Sequence, residues 1–167
     1  NLWAEMSMGM KYKQSKGDDL FRRSLYTIWK RTVAPPSMAI LDAADREACW
    51  VGAKRTNTPL QALTLLNETA FVESARHLAT QLLESESPVL DGFKTVAARV
   101  PTDRELKVLQ SALDEYRKEF QASPEAATKL IAIGTTPVPK DVDAVELAAH
   151  TAFANVLLNL DEVITKE

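Results

Sequence analysis

Cysteine is nearly absent from this 167-residue chain: Cys49 stands alone. One cysteine excludes an internal disulfide framework, an all-cysteine zinc site and a C-x-x-C-H haem attachment. No apolar run approaches the ~20 residues that cross a bilayer, so no membrane span is expected. There are two histidines, His77 and His150, set far apart without a neighbouring Cys or His. That spacing matches no metal-ligand pattern, and each is read as a solvated or core histidine. A glycine-rich phosphate loop, a nucleophile-elbow motif and a Ser/His/Asp order are all missing, so no catalytic residue is assigned. Cys49 is read as a small buried hydrophobe, since no base lies near it in sequence.

What is present is unevenly distributed. Residues 1–57 hold ten basic and six acidic side chains, a net +4, whereas the remainder carries −7. All three tryptophans (Trp3, Trp29, Trp50) and all four methionines fall in the first 50 residues. The basic excess is too small and too mixed to argue for nucleic acid. Alternating Met6, Met8 and Met10 is read as packing rather than soft-metal binding. The composition, 46% hydrophobic and 26% charged, is that of an ordinary globular domain. The reading is therefore a single helical domain over residues 1–167, with an irregular basic and aromatic portion at 1–57 and a helical portion at 58–167. The start at Asn1, without an initiator Met, reads as that of a C-terminal fragment of a longer multidomain protein.

The helical punctuation is clear in places. Asp18 is a fit N-cap for a helix carrying Phe21, Leu25, Ile28 and Trp29, which Pro35-Pro36 would stop. Residues 32–57 then read as a long connection. Thr58, Pro59 and Gln61 form a capping box with a first-turn proline, followed by Leu60, Leu63 and Leu66 as an expected buried face. Asn67 is read as the cap of the next helix, with Phe71, Ala75, Leu78 and Leu82 on one stripe. Ser87-Pro88 and Ser123-Pro124 open two shorter helices, and the latter ends near Gly134. Thr102 with Glu105 caps the longest one, along which Leu106, Leu109, Leu113, Tyr116 and Phe120 recur. Asp143 begins a final helix running to Ile164, apolar on a broad face and so expected to be buried on more than one side. The sum is an all-α fold of about six helices with a loop-rich N-terminal third.

Two features invite a ligand. In KRTNTPLQAL, Lys54 and Arg55 precede a helix N-terminus, whose free N–H groups attract anions. Capping by Thr58 explains the same residues without a ligand, leaving Arg55 and Asn57 to hold the preceding loop. The acids Asp42, Asp45 and Glu47 match no calcium loop. Pairing with Arg46, Arg55, Arg22 or Arg23 suits them better. The tryptophans, with Tyr12 and Tyr26, could stack sugars, or could fill an irregular segment that has few aliphatics. The candidate binding set is accordingly Asp42, Arg46, Trp50, Arg55 and Asn57, with no metal site.

The run FRRSLYTIWKRTVAPPSMAILDAADREACWVGAKRTNTPLQALTLLNETAFVESA, residues 21–75, resembles the C-terminal planctomycete-specific domain of large cytochrome-linked proteins. The segment PTDREL and the closing AAHTAFANVLLNLDEVITKE are similar to further stretches of that family. DAAD at 42–45 departs from its more usual DAPD, and residues 50–53 depart from a position often basic. The resemblance implies a domain of unknown function at the end of secreted or periplasmic proteins. Haem is expected only in an associated upstream domain, not in this chain. The implied role is a non-catalytic, extracytoplasmic helical module that contacts upstream domains of the same polypeptide, with polysaccharide contact through 32–57. The alternative is part of a polysaccharide-degrading or oxidising enzyme whose site is shared with the upstream domain.

Overall fold

The computed structural model describes residues 15, 17–27, 35–44, 56 and 58–165. The chain divides into two compact units, Asn1–Thr64 and Leu65–Glu167. Among the described residues every regular element is helical, with eight α-helices and two 3₁₀ turns. Six of the helices exceed seven residues, so the all-α expectation holds.

In the first unit, the helix expected from Asp18 is replaced by two 3₁₀ turns, Gly17–Phe21 and Ser24–Tyr26. Arg23, at φ −55° and ψ 145°, interrupts them, and Thr27 leaves in extended backbone. Of the apolar stripe that would hold one helix on a core, Phe21 and Leu25 are exposed, as is Tyr26. Arg22 instead pairs with Asp19 at 2.7 Å and lies over the Tyr26 ring. Ile28 and Trp29 lie outside the described residues. The long connection contains a short helix, α1 (Pro36–Ile40), with Pro36 in its first turn. That position has no use for an N–H, so proline opens the helix rather than breaking it.

Helix α2 (Pro59–Asn67) starts at the expected place. Thr58 N–H donates to Gln61 Oε1 at 2.8 Å, and Gln61 N–H donates to Thr58 Oγ1 at 3.3 Å. Its faces, however, are the reverse of those expected. Leu60 and Leu63 are 54% and 58% exposed, Leu66 is 41% exposed, and Gln61 is buried. Asn67 is the last residue of α2 rather than the N-cap of the next helix. Glu68 takes that role, its carboxylate accepting from Ala70 N–H.

The second unit is built on α3 (Thr69–Leu83), α4 (Pro88–Ala97), α5 (Asp103–Ala122), α6 (Pro124–Ile131), α7 (Ala144–Leu158) and α8 (Asp161–Ile164). Helix α7 is central, packed on α3, α5 and α6. It buries Leu147, Ala148, Ala149, His150, Thr151, Phe153, Ala154 and Leu157, which is burial on more than one side, as its apolar pattern predicts. Toward α3 and α6 the contacts are small and tight, through Ala75, Ala79, Ala127, Ala148 and Ala154. Toward α4 and α5 they are larger, through Phe93, Leu109, Leu113, Phe153 and Leu157. The last helix does not run unbroken to Ile164. Asn159 Nδ2 donates back to Asn155 O at 2.7 Å, Leu160 turns extended, and α8 starts afresh. Thr102 and Glu105 form the reciprocal box at the head of α5. Asp143 caps α7, accepting from Val145 and Glu146 N–H.

Candidate functional site

Of the five residues expected to form a site, Asp42 is described; Arg46, Trp50, Arg55 and Asn57 lie outside the described residues. Asp42 has φ +57°. Its N–H reaches Ala39 O at 3.4 Å, and Ala43 N–H reaches Met38 O at 2.9 Å. Those two bonds are the paired closure by which a helix ends in a left-handed residue, usually glycine. Asp42 fills that place at the end of α1, which a short polar side chain tolerates better than most.

The Asp42 carboxylate is occupied from the other side. It accepts from Gln61 Nε2 at 2.9 Å and from Thr56 Oγ1. Gln61 Nε2 also donates to Thr56 Oγ1 at 2.8 Å. Gln61 is thus shared between the box that starts α2 and the acid that ends α1. A buried amide needs such partners, since each unmet polar atom costs about 1–3 kcal/mol. This network ties Asp42 and Thr56 to the start of α2.

A second polar cluster went unseen in the sequence. Glu73 and Arg76 on α3 are 5% and 4% exposed. Arg76 donates to Ile131 O and, at 2.8 Å, to Thr136 O. Glu73 Oε1 accepts from Thr135 N–H at 3.0 Å and from Thr136 N–H at 2.5 Å, and lies 3.5 Å from Arg76 Nη2. Burial pushes the Glu73 carboxyl up; the Thr136 and Thr135 bonds and the Arg76 charge outweigh it and hold it below its usual range. The pair fastens the 131–136 segment over α3. The available signal was two opposite charges at i and i+3, beside Val72 and Ala75 on the apolar stripe.

Of the two histidines, His77 is exposed and His150 is buried. Among the described residues no group of three or more His, Cys, Asp or Glu is placed to hold a metal ion. No described helix is long and apolar enough to cross a membrane. A groove of about 440 Å³ lies between the start of α4 and the first turns of α5. Its lining includes one acid and one base, Glu86 and Lys107, among neutral residues, which gives no bias toward either sign of charge.

A family model described as PSD1, "Protein of unknown function (DUF1553)", matches residues 4–113. The chain belongs to that family. No curated protein and no solved structure matches it. The matched stretch ends within α5, at Leu113, which is fully buried against residues of α7. The rest of the chain therefore completes the core of a unit that the family match enters from the other side.

Proposed function

We propose that this member of the PSD1 family is a docking module: a non-catalytic, extracytoplasmic helical part of a cytochrome-linked multidomain protein. Its partners in this reading are upstream domains of the same polypeptide, with polysaccharide reached through residues 32–57. One observation carries the docking role. Helix α2 turns Gln61 inward and presents Leu60 and Leu63, one turn apart, to solvent. An amphipathic helix ordinarily does the opposite, and exposed apolar residues grouped on one face mark contact surfaces. The polar groups beneath α2 are meanwhile bonded to one another, Asp42 to Gln61 and Thr56. The extracytoplasmic setting and the haem-bearing upstream domain rest on the resemblance of residues 21–75.

A photo-crosslinking residue at Leu63 in the full-length polypeptide tests this reading. Crosslinks from that position to an upstream domain of the same polypeptide are expected. Crosslinks to water alone, or only to unrelated proteins, would overturn it. The same polypeptide, screened against sulfated and neutral glycans, tests the polysaccharide contact. Turnover of a glycan would replace docking with the enzyme reading.

A further inference from the structure

Helix α7 carries Glu146 and His150 four residues apart, on one face. The His150 ring is 2% exposed. Its Nδ1 lies 2.8 Å from the Glu146 backbone oxygen. A carbonyl only accepts, so Nδ1 carries the proton of the neutral ring. The Glu146 carboxylate stands 3.6 Å from the same Nδ1 and 3.0 Å from Arg117 Nε on α5. Arg117 Nη1 also reaches Asp114, at 3.4 Å. One carboxylate is therefore placed between an imidazole and a guanidinium.

The other described charges on the helices packed against α7 are bonded to other groups or exposed. On α3, Glu73 and Arg76 are bonded to the 131–136 segment. On α4, α6 and α8, Asp91, Lys94, Glu125, Lys129, Asp161 and Glu162 are exposed. His150 thus faces Glu146 from its own helix and Arg117, backed by Asp114, from α5.

We propose that this shared carboxylate makes a proton-driven release: a second proton on His150 draws Glu146 away from Arg117 and frees the first turns of α7 from α5. The proton enters at Nε2, the site left open by the Nδ1–H bond. The imidazolium it creates is buried beside Arg117, and Glu146 can neutralise only one of the two cations. Arg117 retains Asp114, whereas among the described residues Glu146 is the acid paired with His150, so the carboxylate goes to the ring. Burial lowers the ring's titration range; the Glu146 backbone bond and charge raise it, but burial and the Arg117 charge outweigh them, so the release belongs to acid conditions.

The test is amide hydrogen exchange read beside the His150 ring signals by NMR, from about pH 7.5 to about pH 5. Protection of amides 144–151 is expected to fall about tenfold or more beyond any fall shared by the α3 amides as His150 titrates. Arg117→Met removes the competitor, so His150 should titrate at higher pH and the exchange step should vanish. His150→Gln should abolish the step as well. Exchange at 144–151 that ignores His150 protonation would overturn the proposal. So would a fall in α3 protection as large as that at 144–151, which is global unfolding, or a step that persists in the Arg117→Met protein.

Discussion

The Glu73 carboxylate lies where Gly134 has no side chain. A Cβ on Gly134 would meet the Glu73 carboxyl carbon at 2.5 Å and its oxygens at 2.6 and 2.8 Å. Gly134 also sits at φ +108°, a conformation that other residues rarely adopt. Gly134→Ala should therefore lose about 2–4 kcal/mol through backbone strain and overpacking together. Gly17 is the control: its φ is +61°, but a Cβ there meets nothing within 4 Å. Gly17→Ala should lose only about 1 kcal/mol. Urea unfolding of both variants checks this, and equal midpoints would refute the contact argument.

The same contact predicts coupling. Glu73→Ala strands Arg76 as a buried cation and leaves Thr135 and Thr136 N–H without their acceptor. The loss should be about 3–5 kcal/mol. In that background the Gly134→Ala penalty should shrink by about 1 kcal/mol or more, because the clash partner is gone while the φ strain remains. A double-mutant cycle measured by urea unfolding reads this directly, and strict additivity would show that the two residues do not meet.

Two buried groups give the stability a pH profile. Both Glu73 and His150 are held below their usual ranges in the fold. A depressed folded pKa means the unfolded chain binds the proton more readily, so stability falls as pH falls. The His150 contribution is complete above about pH 6.5 and is lost below it; that of Glu73 is complete above about pH 4.3 and is lost below that. Stability measured against pH should decline in two stages, and His150→Gln should remove the first. A single acid transition unchanged in that variant would contradict the burial assigned to the ring.

Asp42 has two roles that substitutions can separate. Asp42→Ala loses the bonds to Gln61 and Thr56 and keeps a left-handed backbone, at a cost of about 2–3 kcal/mol. Asp42→Gly loses the same bonds but relieves the backbone, and should recover about 1 kcal/mol of that. Asp42→Asn retains a side-chain acceptor and should lie nearest the original protein. Thermal unfolding ranks the three, and a glycine variant no better than alanine would remove the case for the left-handed cap.

What the sequence reveals here is what local chemistry decides. The boxes at Thr58–Gln61 and Thr102–Glu105, the prolines opening α4 and α6, and the Asp143 cap each involve residues within four positions. Helix starts are readable for that reason. The missed features depend on distant partners. Arg76 meets Ile131 and Thr136 across 55 and 60 positions, so only the opposite charge of Glu73 three residues before it hints at its burial. The inverted faces of α2 follow from Asp42, nineteen residues upstream, which rewards a buried Gln61. The candidate acid was visible; its place as the closing residue of α1 was not, because glycine is the expected sign of such an ending.

The exposed leucines of α2 make the final contrast. Leu113 is fully buried between α5 and α7, and Leu113→Ala should cost about 2–5 kcal/mol. Leu60 and Leu63 are more than half exposed, so Leu60→Asp and Leu63→Asp should change the stability of the chain by no more than about 0.5 kcal/mol each. Helix content by circular dichroism should stay the same, and solubility should rise as the apolar face is broken. If these aspartates unfold the chain as Leu113→Ala does, the leucines serve its own core. If the variants stay folded and lose crosslinking to an upstream domain when one of them is combined with a probe at the other position, the face is a contact surface kept for another part of the protein.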